Sequence, residues 1–222
     1  MTQDTLTRTC DTSDMFIPHG MFRQAFAGAD DVIGTAPAAD RAPLISSFYS
    51  NVLAFLHAHH GAEDAMLWPL LRARAPEREA LLDRMESQHA AVDEVIQAAS
   101  RSLDAYSANP TAERATALAA ATRRLAVELD AHLVEEEREI LPLAAVTVSQ
   151  DEWSALPGWA MGHFTGDKTW LVLGLIFEQM TDAQLATTLQ HIPAPVREMW
   201  DTTGRRDFAT MITAVRGATP AA

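Results

Sequence analysis

Cysteine is almost absent from this sequence of 222 residues, which contains only Cys10. One cysteine cannot form an intramolecular disulfide, and it cannot build a cysteine-rich zinc or iron–sulfur site. Basic residues are also scarce, because 17 Lys and Arg face 30 Asp and Glu, for a formal net charge of -13. This balance argues against nucleic acid and against an anionic membrane surface as partners, since both require a basic patch.

Long hydrophobic runs are missing as well, and we expect no secretion signal. The longest strongly apolar run, Trp170 to Phe177, is far shorter than the ~20 residues of a membrane-spanning helix. Residues Met1 to Met15 are polar and acidic, so we expect no signal peptide and a cytoplasmic protein. The hydrophobic fraction of 48% is normal for a globular chain and predicts a packed core.

The hydrophobic pattern of the chain is that of helices. It repeats every 3.6 residues, and no stretch alternates between polar and apolar residues as a half-buried strand would. Four amphipathic helices are predicted between residues 18 and 146, because turn-forming residues cluster only at 34–43, near 75–76 and at 108–110. Short connections between such helices favour an antiparallel up-down bundle. We therefore predict an all-α fold built on a four-helix bundle.

The predicted bundle is flanked by two other segments. The division is a flexible N-terminus over residues 1–14, the bundle over 15–146, and a C-terminal helical extension packed on the bundle over 147–222. A capping-box pattern that begins at Ser149 predicts the first helix of the extension. The extension contains no group of metal-binding residues, and its histidines, His163 and His191, are expected to be structural.

One internal repeat stands out, in which residues 56–70 align with residues 129–143. The aligned chemistry-bearing residues are His59, Glu63 and Pro69 in the first copy and His132, Glu136 and Pro142 in the second. Each copy therefore contains His-x-x-x-Glu followed by proline. A separate helix with one histidine on its apolar face precedes each copy, with His19 before the first and His89 before the second. The chain is thus predicted to form two helical hairpins that face each other across the core.

The spacing within the repeat suits a metal site. Residues four apart lie on one helix face about a turn apart, so an imidazole and a carboxylate there can bind one ion or two neighbouring ions. A carboxylate buried without a partner costs roughly several kcal/mol, and a cation is its natural compensation. Histidine with glutamate suits iron, manganese or zinc rather than calcium or magnesium. Six side chains exceed the needs of one zinc ion and fit two six-coordinate ions with bridging carboxylates. We therefore predict two non-heme iron ions with an oxo or hydroxo bridge, with manganese or zinc less favoured.

Two histidines next to the first copy of the repeat are not assigned to the metal. His57 and His60 flank His59 and are expected to be solvated or to contact the ligands from outside. His60 and Asp64 form a rival His-x-x-x-acid pair, but only the pair that begins at His59 keeps the distance to proline found in the second copy.

At these residues the sequence resembles the hemerythrin-like family, which carries the HHE cation-binding domain. The matching segments are HGMFR at 19–23, HHGAEDAMLWPLL at 59–71, QHAAVDEV at 88–95 and HLVEEEREILPL at 132–143. The resemblance covers about residues 15–146, and the WPLLRARAP segment and the C-terminal extension look like the actinobacterial branch. It implies a di-iron centre in a four-helix bundle with the ligands His19, His59, Glu63, His89, His132 and Glu136.

Two positions depart from the oxygen-carrying hemerythrins. Those proteins have a fifth histidine four residues after that of the third helix, where this chain has Asp93. Their fourth helix has an aspartate five residues after its histidine, where this chain has a glutamate four residues after it. Reversible oxygen transport is therefore not expected. Asp93 is either a seventh ligand or a solvated helix residue.

The predicted function follows from the additional carboxylate, because anionic oxygen ligands favour ferric over ferrous iron. We predict a protein that reacts with hydrogen peroxide, O₂ or NO, with a catalase-like or peroxidase-like activity and no catalytic group beyond the metal ligands. The alternative is a non-enzymatic iron or oxygen sensor or storage protein. The sequence does not specify the redox partner or the oligomeric state.

Overall fold

The computed structural model describes residues 9–33 and 41–217. These residues are mostly helical and contain no strand, which confirms the all-α prediction. The helices are α1 (Phe16–Ala27), α2 (Ala29–Ile33), α3 (Ala42–Ala62), α4 (Trp68–Arg74), α5 (Glu79–Ala108), α6 (Ala112–Glu135), α7 (Leu141–Thr147), α8 (Gln150–His163), α9 (Thr169–Phe177), α10 (Asp182–His191), α11 (Ala194–Met199) and α12 (Arg205–Arg216). Short 3₁₀ turns cover Ser13–Met15 and Pro76–Arg78, and π-helical segments cover Glu63–Leu67, Glu136–Ile140 and Trp200–Gly204.

The bundle consists of four rods, two of which run through a π-helical segment. α1 is the first rod, α3 continues through Glu63–Leu67 into α4 as the second, α5 is the third, and α6 continues through Glu136–Ile140 into α7 as the fourth. α5 packs along α3 and α6, and α1 packs along α6. Among the described residues no helix is both long and apolar enough to cross a membrane.

The core of the bundle is divided into two hydrophobic clusters with a buried polar layer between them. Along the second rod, Leu56 belongs to one cluster and Ala62 to the other. Along α5, Met85 belongs to the second cluster and Val92 to the first. His59 and His89 lie between these positions, Glu63 lies between Leu56 and Leu67, and Glu136 lies between Leu133 of the first cluster and Ile140 of the second. The polar layer is therefore covered by apolar side chains at both ends.

The C-terminal helices pack against the bundle. Ser149 caps α8, and its hydroxyl and the Glu152 carboxylate form the predicted capping box. α8 lies along α3. Leu171 and Val172 of α9 and Met211 of α12 are buried in the first bundle cluster. The extension therefore shares a core with the bundle, while the division of the chain at residue 146 stays a prediction.

The start of the described chain lies against α7. The N–H groups of Thr9 and Cys10 both donate to the carbonyl of Ala145, at 2.7 and 3.3 Å, and Cys10 is buried. Residues 1–8 of the predicted N-terminus and most of the predicted loop over 34–43 lie outside the described residues.

Candidate metal centre

Each glutamate of the repeat begins a π-helical segment. In Glu63–Leu67 the N–H of Trp68 donates to the carbonyl of Glu63, one residue further back than in an α-helix. Pro69 comes next, and it has no N–H with which to continue the α-helical ladder, while its ring clashes with the carbonyl four residues earlier. The second segment, Glu136–Ile140, is followed by proline at the same position. The proline of the repeat thus explains a wide turn at each glutamate, of a kind that is frequent at functional sites.

Glu63 lies between a histidine of its own rod and a histidine of α5. Its Oε1 atom is 3.3 Å from Nε2 of His59, and its Oε2 atom is 3.4 Å from Nε2 of His89. All three side chains are buried. The two oxygens of one carboxylate therefore face two different imidazoles, as the oxygens of a bridging ligand would.

Glu136 repeats this arrangement with the other two histidines. Its Oε2 atom is 3.4 Å from Nε2 of His19 and 3.7 Å from Nε2 of His132, and these side chains are buried as well. Each glutamate thus lies between a histidine of its own hairpin and the single histidine that opens the other hairpin. The structure brings all six predicted residues into the polar layer, and five of them belong to the two groups of described donor atoms that lie within 4.8 Å of one another, while Glu136 belongs to neither group.

The inward-facing atoms of these six residues have no hydrogen-bond partner among the described residues. This holds for Nε2 of the four histidines and for all four carboxylate oxygens. A buried polar group left unpaired costs about 1–3 kcal/mol, and a charged one costs more. Adjacent donors that bind one ion at 2.0–2.2 Å lie about 3 Å apart, which is close to the nitrogen–oxygen distances observed. The donor set therefore fits a metal cation in both composition and spacing.

Asp64 holds the outward nitrogen of His89. Its Oδ1 atom accepts from Nδ1 of His89 at 2.7 Å and from Nε1 of Trp68 at 2.9 Å. When Nδ1 of an imidazole donates to a carboxylate, Nε2 presents its lone pair on the opposite side of the ring. Asp64 therefore does not pair with His60 as the rival motif suggested, and instead orients a histidine of another rod.

Glu137 takes the equivalent position in the second copy of the repeat and holds His19. Its Oε1 atom accepts from Nδ1 of His19 at 2.8 Å and from Nη1 of Arg23 at 2.6 Å. Oε1 of Gln88 is the corresponding acceptor for Nδ1 of His132, at 3.2 Å. The predicted site does not include these acceptors, although each of the two carboxylates directly follows a glutamate of the repeat.

The sequence left two possibilities for His60, a solvated residue or one that contacts the ligands from outside. Its side chain has only 2% relative exposure, which excludes the solvated alternative. Its ring stacks on that of His89 at a centroid distance of 4.4 Å and lies 5.2 Å from that of His132. The reason is that His60 faces His89 of α5 and His132 of α6, so it lies inside the bundle beside His59. Two adjacent residues of α3 therefore both point inward, and this helix buries a wider arc than an amphipathic stripe predicts.

The remaining candidates lie at the surface. The Asp93 side chain is 43% exposed, and its Oδ1 atom faces Nδ1 of His57, itself 72% exposed, at 3.7 Å. His163 and His191 are exposed and bind through Nδ1 to carbonyls of their own helices. Among the described residues, none of these four belongs to a group of donors that could hold a metal ion.

Burial determines the protonation of the site before a metal binds. It lowers the pKa of His59 to about 4 and that of His132 to about 3, so both imidazoles are neutral near pH 7. Burial also disfavours charge on His89, but the hydrogen bond to Asp64 and the nearby carboxylate of Glu63 together outweigh it and raise the pKa of His89 to about 10. Burial and a second nearby carboxylate raise the pKa of Glu136 well above its usual range. A cation that binds must therefore displace the protons held by His89 and Glu136.

Comparison with protein families shows which family the chain that carries this cluster belongs to. The model of the hemerythrin HHE cation binding domain matches residues 12–144, which is more than half of the chain and includes all six residues. The chain belongs to the hemerythrin HHE family. Comparison with curated proteins and with solved structures gave no significant match. The HHE domain is a cation-binding domain by its description, and the buried histidines and glutamates are the candidate cation site of this member. α8 and the helices after it lie beyond the matched HHE domain.

Proposed function

We propose that the buried cluster binds two metal ions and that these ions are iron. The observation that carries the proposal is that two buried carboxylates each lie between imidazoles of different hairpins, with no other partner among the described residues. The proposed ligands are His19, His59, Glu63, His89, His132 and Glu136.

Iron is the metal that suits this donor set best. Imidazole and carboxylate together suit iron, manganese or zinc, but structural zinc sites are closed by four ligands in a tetrahedron. The cluster has more donors than one such ion needs, and its two carboxylates can be shared. Two anionic ligands also favour the ferric state, because they stabilise the higher charge.

We further propose that the iron pair reacts with a small oxidant or diatomic molecule, with hydrogen peroxide as the first candidate. Bound iron would supply the redox chemistry. The protein orients the imidazoles through Asp64, Glu137 and Gln88 and surrounds the polar layer with apolar side chains. None of the six proposed ligands is more than 6% exposed. A site covered to this extent admits only a small molecule, which supports peroxide, O₂ or NO.

A sensor is the second candidate, and one contact favours it. Trp159 of α8 packs against Gly61, which lies between the proposed ligands His59 and Glu63. α8 therefore touches the metal-binding segment although it lies outside the matched domain. A change in metal occupancy at this segment would alter the packing of the C-terminal helices, which could then report the state of the site.

Iron analysis followed by peroxide addition tests these proposals. Protein loaded with ferrous iron without oxygen and then desalted should retain close to two irons per chain. Oxygen evolution after peroxide addition, lost in Glu63→Ala and kept in the exposed control Glu128→Ala, supports the enzyme. Two retained irons without turnover, with C-terminal protease cleavage that depends on metal, support the sensor. A folded wild-type protein that retains no iron contradicts the iron site itself.

A further inference from the structure

His60 is a buried histidine that the proposed ligand set leaves unused. Its side chain is 2% exposed, and neither of its ring nitrogens has a hydrogen-bond partner among the described residues. His19, His89 and His132 differ in this respect, because the Nδ1 atom of each has an acceptor. Buried polar side chains nearly always have a partner. An imidazole in the core with both nitrogens unpaired therefore requires an explanation.

The donor atoms around His60 fall into two groups. Within each group one donor atom per residue lies within 4.8 Å of the others, and the groups are His60, Glu63, His89 and His132, and His19, His59 and Glu63. Opposite donors on one ion lie about 4.2 Å apart when the bonds are 2.0–2.2 Å. A small inward movement therefore places the members of either group on a single ion. Glu63 belongs to both groups, as a bridging carboxylate would.

We propose that His60 is a fifth imidazole ligand of the metal centre, on the ion that His89 and His132 bind. This inference rests on the proposed iron site and adds to it a ligand that lies outside the repeat. It also makes the two ions unequal, because one then has three imidazoles and the ion at His19 and His59 has two. The ion with three imidazoles is held more tightly.

Aromatic packing is the competing explanation for His60. Its ring stacks on His89 with an interplanar angle of 20° and a centroid distance of 4.4 Å. A phenylalanine ring at this position would preserve the stacking but has no nitrogen. His60→Phe therefore separates packing from ligation. His57→Phe is the matched control, since it makes the same substitution one helical turn away on a side chain that is 72% exposed.

Cobalt titration measures the effect without any turnover. Wild-type protein, His60→Phe and His57→Phe are titrated with Co²⁺ against a competing chelator, and the visible absorption reports the ligands of each ion. We expect wild type and His57→Phe to bind two Co²⁺ with the same affinities. We expect His60→Phe to bind one of the two at least tenfold more weakly and the other within threefold of wild type. In His60→Ala, free imidazole should restore the second equivalent and the wild-type spectrum.

Three outcomes would overturn this assignment. The first is wild-type affinity and spectrum for both ions in His60→Phe. The second is an equal loss of both ions in that variant, and the third is a folded His60→Ala, verified by circular dichroism, that imidazole does not rescue. If His60→Phe does not fold, the imidazole experiment on His60→Ala decides the question. Wild-type protein that binds no metal would instead contradict the proposed function, so the two failures are distinguishable.

Discussion

Asp64 provides the sharpest test of how the protein holds its metal-binding histidines. Its Oδ1 atom alone accepts both hydrogen bonds, from Nδ1 of His89 and from Nε1 of Trp68. Asp64→Ala removes both bonds. Asp64→Asn keeps a carbonyl oxygen that can accept both bonds and removes only the negative charge. The two variants therefore separate orientation of the imidazole from electrostatic attraction.

The structure sets the expected size of each effect. Loss of a hydrogen-bond partner behind a metal-binding histidine typically lowers metal affinity roughly 10- to 100-fold, or about 1.4–2.7 kcal/mol. The Asp64 side chain is 51% exposed, so solvent screens its charge, which then contributes at most about 1 kcal/mol. We therefore expect iron affinity to fall roughly 10- to 100-fold in Asp64→Ala and by no more than about fivefold in Asp64→Asn.

Competition with a chelator for ferrous iron, without oxygen, measures these affinities. Asp83→Ala is the control, because this exposed carboxylate pairs with Arg72 and touches no histidine of the site. Unchanged affinity in Asp64→Ala would refute the orienting role of the side chain. An equal loss in Asp64→Asn and Asp64→Ala would show that charge, rather than orientation, controls the affinity.

Three further predictions concern metal, pH and packing. Metal at 100 times its dissociation constant should raise the melting temperature by about 5–10 °C over the metal-free chain. Such binding adds about 2.7 kcal/mol to the free energy of unfolding, and each kcal/mol shifts the melting temperature of a chain of this size by about 2–4 °C. Calorimetry with and without chelator checks this, and equal melting temperatures would contradict it. Metal affinity should fall between pH 7.5 and 5.5, because the raised pKa values of His89 and Glu136 leave protons on these groups that a cation must displace. An affinity that chelator competition finds constant over this range would contradict this. Gly158→Ala, in the interior of α8, should stabilise the protein by about 0.5–1 kcal/mol, because nothing lies within 4 Å of the added Cβ. Gly61→Ala should lose this gain, because its Cβ meets Trp159 at 3.1 Å. Urea unfolding distinguishes the two glycine variants, and equal midpoints argue against the contact with α8.

The sequence predicted the bundle and its polar layer because both depend on spacing within single helices. Helical periodicity identified the four rods, and the repeated His-x-x-x-Glu identified residues that lie one turn apart on one face. His60 could not be assigned in this way, since its burial depends on how α5 and α6 pack against α3, where its ring meets those of His89 and His132. The spacing of residues within α3 does not show how wide an arc of that helix the neighbouring helices cover.

The two carboxylates that orient the proposed ligands could have been inferred from the repeat itself. Asp64 and Glu137 occupy equivalent positions, and each binds the histidine that opens the other hairpin. The prolines of the repeat could also have indicated the π-helical turns at Glu63 and Glu136, which we did not predict from the sequence, because a proline interrupts the α-helical ladder at the preceding turn. The partners of these acceptors could not be foreseen, because the pairing crosses between rods.

The crossed arrangement of the glutamates has a mechanical consequence for a chain with a single cysteine. Glu63 and Glu136 each face one histidine from either hairpin, so neither hairpin alone presents a complete set of donors. Ions held in this way would join the two halves of the bundle as a reversible cross-link. Such a cross-link would take the place that a disulfide has in a disulfide-bonded bundle, and the availability of metal would control it instead of the redox state of thiols.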